Sequence, residues 1–287
     1  MIEGMKKMKI IVCIKQVPNT KEIRIDPETG TMIRKGVPSI INPDDKHALE
    51  AALAIKDATH DVKVTVLSMG PMQAKEALVE CLCMGADEAI LLSDRAFGGA
   101  DTWATANTLA SAIRKLGEFD LIICGQQAID GDTAQVGPQL ADKLLIPQIT
   151  YAQALSIEGR TLIVERQMED GWQKIKTSLP ALITATRKLN SPRFMNIRDI
   201  VEVTQTDDPV RVMGLDDLQI SPDETGLKGS PTRVKSSFSP STGSEVKWIS
   251  GSSSEMSAEL ISVLQELMLV KKRSEEHTSE LQSHSFI

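Results

Sequence analysis

The sequence predicts an α/β fold: a mainly parallel β-sheet flanked by helices, followed by a C-terminal arm and helix. Three observations carry that expectation. Over the first two-thirds of the chain, short apolar runs alternate with alanine-rich segments of helical spacing, the pattern of parallel strands joined by helical crossovers. After Pro147 the runs become strand-dense and hairpin-like. From about Ser230 to Ser254 Ser, Gly, Thr and Pro dominate, as in an extended arm or linker, before a last amphipathic segment.

Taken in order, Lys9–Ile14 is a short apolar strand, and Ile23–Arg34 reads as a hairpin turning at Asp26-Pro27-Glu28-Thr29-Gly30. Asn42-Pro43-Asp44-Asp45 then starts a helix, with Asn at the N-cap, Pro in the first position and acids in the first turn, running to about Ala58. Asp61–Ser68 is a strand, Met69-Gly70-Pro71 turns into a helix ending near Gly85, and Glu88–Leu92 is the next strand. Thr102–Leu116 is helical, with Trp103, Ala106, Ala110 and Ile113 on one face. Phe119–Cys124 is a strand, followed by a glycine- and acid-rich loop and a helix to Leu145 striped by Val136, Leu140 and Leu144. Gln148–Ile157 and Arg160–Gln167 form a hairpin, which Trp172–Ser178 and Ala181–Ala185 extend. Arg187–Ile200 is a polar, proline-containing loop shading into a helix or strand, and Glu255–Val270 is an amphipathic helix. The divisions expected are a nucleotide-binding domain over residues 8–202 and an arm with helix over 203–272 that either docks on another chain or packs back onto the same domain.

Composition narrows the function classes. With 287 residues, 41% hydrophobic and 25% charged, the chain is ordinary globular protein, neither collagenous nor disordered. Aromatic residues at 3% are too sparse for the stacking platforms that bind single-stranded nucleic acid, and a net charge of -7 argues against nucleic acid as partner. No apolar run approaches the roughly 18 residues of a membrane helix, so membrane insertion is not expected. Four scattered cysteines and no secretory signal point to a reducing cytoplasm. The end of the chain, Arg273–Ile287, reads RSEEHTSELQSHSFI and resembles a translated sequencing-library adapter, so it is not expected to belong to the fold, and the native C-terminus is expected to be missing. Without it two histidines remain, His47 and His60, and neither a metal site nor histidine-based catalysis is expected; His47 reads as a surface residue.

Right-handed crossovers gather the strand-to-helix loops at the carboxyl edge of the sheet, where nucleotides bind. Those loops are Cys13–Thr20, Met69–Met72, Ser93–Thr102 and Gly125–Val136. The last one carries Gly125, Gln126, Gln127, Ala128, Ile129, Asp130, Gly131, Asp132, Thr133, Ala134, Gln135 and Val136, leaving a strand and opening a helix. That arrangement aims backbone N–H groups at a phosphate, with glycines permitting close approach. Asp130 and Asp132 suit ribose or ribityl hydroxyls or a cap better than a bare phosphate. Pro138 is expected to bend a helix already under way. The loop is neither a GxGxxG fingerprint nor a P-loop, and from spacing alone a merely structural loop stays open. In the neighbouring loop Asp101 suits a cap, and Arg95 pairs more readily with Asp94 than with a ligand. Cys81 and Cys83 diverge on a helix and read as buried thiols rather than metal ligands.

These loops in this order resemble the beta subunit of electron-transfer flavoproteins. The matching segments are KIIVCIKQVPNT (Lys9–Thr20), INPDDKHALEAAL (Ile41–Leu53), SMGP (Ser68–Pro71), CMGADEAILLSDRAFGGADT (Cys83–Thr102), GQQAIDGDTAQVGP (Gly125–Pro138), LPALITATRKLNSPRF (Leu179–Phe194) and GSPTRVKSSFSP (Gly229–Pro240). The resemblance implies an adenine nucleotide alpha hydrolase-like fold, an alpha-subunit partner, and a bound nucleotide: AMP in simple carriers or a second FAD in the electron-bifurcating branch. It places that nucleotide at Cys13, Asn42, Pro43, Asp44, Asp45, Met69 and Gly125 through Val136. It makes residues 193–202 the loop that docks an acyl-CoA dehydrogenase-type partner, with Arg193, Phe194 and the apolar anchor Ile197. SDRAFGGADT and AIDGDTAQVGP look like the bifurcating type, in which NADH reduces the beta-subunit FAD and ferredoxin or flavodoxin takes one electron. One departure stands out: Gln126 occupies a place where Lys or Arg is common in the family, which removes a charge that would favour an anionic flavin or phosphate.

Overall fold

The computed structural model describes residues 7–19, 38–59, 61–235, 248–267 and 269. The hairpin expected over Ile23–Arg34 and the suspected adapter tail lie outside them. Eleven strands and six α-helices follow in chain order among the described residues: β1 (Met8–Cys13), β2 (Gln16–Pro18), β3 (Ser39–Ile41), α1 (Pro43–Ala58), β4 (Val62–Met69), α2 (Lys75–Cys83), β5 (Glu88–Leu92), α3 (Thr102–Leu116), β6 (Leu121–Gly125), α4 (Val136–Leu144), β7 (Gln148–Glu158), β8 (Thr161–Met168), β9 (Gly171–Ser178), β10 (Ala181–Ala185), α5 (Ile197–Gln205), β11 (Val210–Met213) and α6 (Ser253–Glu266).

Nine strands form one sheet in the order β11-β5-β4-β1-β6-β10-β7-β8-β9, parallel except where β8 pairs antiparallel with β7 and β9. The predicted α/β class is what the chain adopts. β2 and β3 make a separate antiparallel pair. Strands buried on both faces explain the near-continuous apolar runs. Ile10, Val12 and Val64 pack under α1 and α2 on one face; Ile11, Leu67 and Ile122 pack under α3 and α4 on the other. The chain passes from β1 outward through β4 to β5, then returns to lay β6 against the other side of β1. The strand order therefore reverses between β1 and β6, the kind of switch point at which α/β sheets take ligands in a crevice beyond the carboxyl ends of their strands.

Several local expectations need correcting. The turn after Met69 becomes a single 3-10 turn, Met72–Ala74, before α2. Trp103 does not join the buried face of α3: Ala106, Ala110 and Ile113 do, while Trp103 is exposed with Lys143 Nζ 3.0 Å above its ring. Because α4 starts only at Val136, Pro138 falls in its first turn, where an N–H has no intrahelical acceptor anyway. It bends nothing. The short β11 extends the parallel sheet beyond β5, although no strand was expected in that stretch. α6 runs over Ser253–Glu266, capped by a Ser252–Glu255 box. It starts two residues earlier and stops four residues earlier than expected. The described residues fall into two units, one reaching residue 235 and the other holding α6.

Candidate nucleotide crevice and docking segment

The crevice is built from three chain segments that converge on the first turn of α1. Asn42 sits at the N-cap position of α1, yet its side chain makes no capping bond there. Its amide instead donates from Nδ2 to the Gln127 carbonyl at 2.8 Å and accepts the Ile129 N–H on Oδ1 at 3.2 Å. A fully buried amide thus pairs with the backbone of the Gly125 loop much as a neighbouring strand would. Asp45, one turn on, accepts the Lys15 N–H on Oδ2 at 2.7 Å and the Gly125 N–H on Oδ1 at 3.2 Å. Its carboxylate ties the exit of β1 to the exit of β6. Burial pushes the Asp45 carboxyl up to about 7, outweighing the pull of the Asn42 side chain and of the Lys15 N–H.

Gly125 is glycine for a steric reason. A Cβ there would run into the Asp45 carboxylate and lie 2.8 Å from the Asp44–Asp45 backbone. Lys15 completes the tie: its carbonyl accepts the Asn42 N–H at 2.8 Å and its Nζ reaches Asp130 Oδ1 at 2.5 Å. Asp132 Oδ1 accepts from Gln127 Nε2 at 3.1 Å. Both loop aspartates are therefore engaged inside the loop system. The Gln126 N–H is used by the Ala185 carbonyl of β10 at 2.8 Å.

Beyond Gly131 the loop changes character. Asp132 and Ala134 take positive φ of 48° and 51°, conformations that non-glycine residues adopt only when the surroundings impose them. Among the described residues no acceptor takes the N–H groups of Thr133, Ala134 or Gln135. A Cβ added at Gly131 would meet nothing within 4 Å. Free N–H groups in alternating backbone hand, at a helix start and beside open space, fit an anionic oxygen of a nucleotide.

Cys13 ends β1 in register with Cys124 on β6, and both are buried and reduced. The hydrogen bond from Cys13, with burial, holds the Cys124 thiol well above its usual range, so it stays protonated and a poor nucleophile. Burial likewise raises Cys81 and Cys83. Met69 ends β4 at the same carboxyl edge of the sheet as Cys13 and the Gly125 loop. In the neighbouring loop Asp101 caps α3, and Asp94 accepts from the backbone N–H groups of Ala96 and Leu215 rather than from the Arg95 guanidinium. No group of three or more His, Cys, Asp or Glu side chains suited to a metal occurs among the described residues.

Arg193, Phe194 and Ile197 lie away from the crevice, along α1. A ladder with a three-residue step holds this segment: Arg187 Nε to Asp44 Oδ1 at 2.7 Å, Asn190 Nδ2 to the His47 carbonyl at 2.9 Å, and Arg193 to both oxygens of Glu50 at 2.8 and 2.9 Å. Arg193 also reaches Asp57 at 2.7 Å, and these carboxylates raise its guanidinium further. His47, expected at the surface, is half-buried with Nδ1 3.0 Å from Asn190 Oδ1. The ladder was missed in the sequence, where its only trace is polar residues at 187, 190 and 193 matching 44, 47 and 50 on one helical flank. It delivers α5, which buries no residue and leaves Phe194 95% and Ile197 80% exposed, with Met195 and Val201 beside them. Contiguous apolar exposure of this kind marks an interaction surface.

Comparison with known proteins agrees with this architecture. Residues 29–210 match the model of the electron transfer flavoprotein domain. The chain is 52% identical over 264 residues to the caffeyl-CoA reductase-Etf complex subunit CarD of Acetobacterium woodii, covering 92% of this chain and 100% of that protein. It is 51% identical to the electron transfer flavoprotein subunit beta of Clostridium acetobutylicum, over 90% of this chain and 98% of that one. With the acryloyl-CoA reductase electron transfer subunit gamma of Anaerotignum propionicum it shares 46% identity, over 81% and 89%. A sheet reversing at β1/β6, the glycine loop at that reversal and similarity along most of its length establish that the chain belongs to the electron transfer flavoprotein family, among the beta subunits.

Proposed function

We propose that this chain is the beta subunit of a heterodimeric, electron-bifurcating electron-transfer flavoprotein that holds FAD in the β1/β6 crevice. The observation that carries the nucleotide reading is the unpaired N–H run of Thr133–Gln135 beside the open side of Gly131. Cys13, Asn42–Asp45, Met69 and Gly125–Val136 form its walls. Backbone groups meet the phosphates, and Gln127, Asp130 and Asp132 lie where ribityl or ribose hydroxyls would come.

The bound flavin would supply the redox chemistry: acceptance of hydride from NADH and division of the electrons between the alpha-subunit flavin, serving an acyl-CoA dehydrogenase-type partner, and ferredoxin or flavodoxin. The chain's own residues bind, orient and exclude water. Similarity to proteins named for caffeyl-CoA and acryloyl-CoA reductase complexes supports an enoyl- or acyl-CoA enzyme as partner. The exposed Phe194–Ile197–Val201 face is where that partner docks, with Arg193 fastening the segment from behind. α6, whose Met256, Leu260 and Ile261 are exposed, is assigned to the alpha subunit. No described helix is long and apolar enough to cross a membrane, and four reduced cysteines fit a cytoplasmic site.

A second reading is AMP in place of FAD, as in the simple carriers: Gln126 brings no charge that would stabilise an anionic flavin, and the nearby cation, Lys15, is already paired with Asp130. Coexpression with the cognate alpha subunit separates the two. Two FAD per heterodimer and bleaching by NADH support bifurcation, whereas one FAD with one AMP supports the simple carrier and sinks the first reading.

A further inference from the structure

The crevice reading makes Asn42 and Asp45 part of the nucleotide site, but in the arrangement observed their side chains are already engaged with the protein's own backbone. Asn42 is fully buried, and both ends of its amide are occupied by Gln127 and Ile129. Each carboxylate oxygen of Asp45 takes one N–H, from Lys15 and from Gly125. We propose that Asn42 and Asp45 are positioning residues: they fix the Gly125 loop against the exit of β1, so that the loop backbone, and not their own side chains, receives the nucleotide. This inference rests on the nucleotide reading above and assigns its recognition to main-chain groups.

Three features support it. Asn42 gives up the capping bond that its position offers, which at a helix start is a real loss. Asp45 sits so close to Gly125 that no side chain fits between them. The loop is also engaged at three successive levels: Gly125 by Asp45, Gln127 with Ile129 by Asn42, and Asp130 by Lys15. The free N–H groups of Thr133–Gln135 follow directly after this fixed stretch. A fixed loop presents those donors without an ordering cost on binding.

The test uses the heterodimer with its alpha subunit, stripped of nucleotide at the crevice, with AMP as the probe and the alpha-subunit flavin as the check on folding. Asn42→Ala is expected to speed hydrogen exchange at the Ile129 amide about tenfold in the ligand-free protein and to weaken AMP by a similar factor. Asn42→Asp keeps the acceptor for Ile129, and should restore its protection and part of the affinity. Asp45→Asn should act in the same way on the Lys15 and Gly125 amides. Weaker AMP binding with Ile129 protection unchanged would mean direct contact and overturn the proposal. Faster exchange with AMP affinity intact would overturn it as well. A wild-type heterodimer that holds neither AMP nor a second flavin would instead refute the nucleotide reading, and the inference with it.

Discussion

The two candidate sites hang on the same helix and are built in opposite ways. At the N-terminal turn of α1, buried side chains turn inward and hold a loop whose Thr133–Gln135 N–H groups have no acceptor among the described residues. Along the outer flank of α1, Arg187, Asn190 and Arg193 turn inward so that side chains of the next helix, Ile197 above all, face outward. Backbone recognition suits a phosphate, whose geometry is the same in every nucleotide. Apolar side chains suit a protein surface, where a few exposed residues supply most of the binding free energy. The first site is sensitive to volume and the second to polarity.

That contrast is most easily broken at Gly125. Gly125→Ala places a methyl group against the Asp45 carboxylate and the α1 backbone. It is expected to cost roughly 2–4 kcal/mol, since backbone must shift to admit it, and to empty the crevice. Gly131→Ala, where the space is open, should cost under about 1 kcal/mol. Thermal unfolding and nucleotide content of the two heterodimers compare them directly.

Glu50→Gln is the next largest. It weakens the bidentate grip on Arg193, whose partner Glu50 is nearly buried, at a cost of about 1–3 kcal/mol. Electron transfer to the dehydrogenase should fall while nucleotide content stays at the wild-type level. Equal losses of both would mean that the two sites are not separately built.

Ile197→Asp sharpens the comparison without touching the fold. The side chain is 80% exposed, so stability should move by less than about 0.5 kcal/mol. Transfer to the dehydrogenase should nonetheless disappear, with bound flavin intact. Unchanged transfer rates would remove the docking assignment.

Much of the crevice was legible because its materials are local. Asn42-Pro43 marks a helix start, and a glycine loop between an apolar strand and an amphipathic helix marks a carboxyl-edge site. The direction of the Asn42 side chain was not legible. An N-cap bond and a bond to a loop 85 residues away look identical in sequence, and only the packing of β6 beside β1 decides between them. The ladder from 187–193 to α1 escaped for the same reason: each contact spans 143 residues. β11 escaped because four residues bounded by Pro209 and Gly214 carry too little periodicity to identify a strand. Its partner β5 supplies what its own pattern lacks.

A separate prediction concerns pH dependence. Burial raises the folded-state pKa of Asp45 from 3.8 to about 7, so between those values the folded chain holds a proton that the unfolded chain has lost. The contribution is fully present below about 3.8, declines as pH rises, and is lost once pH passes 7. Asp45→Asn removes this titration. Urea unfolding at a series of pH values should therefore show wild type losing stability relative to the variant between pH 4 and 7, with a constant difference above that range. A gap that stays constant from pH 4 to 7 would mean that Asp45 is ionised throughout.

The central claim is that this chain holds a redox flavin in the β1/β6 crevice. Flavin counted per heterodimer, in wild type and in Gly125→Ala, tests it most directly. Two FAD are expected in the wild type and one in the variant, with the alpha-subunit flavin retained and NADH bleaching lost. Two FAD in both proteins, or one FAD with AMP in the wild type, would contradict it.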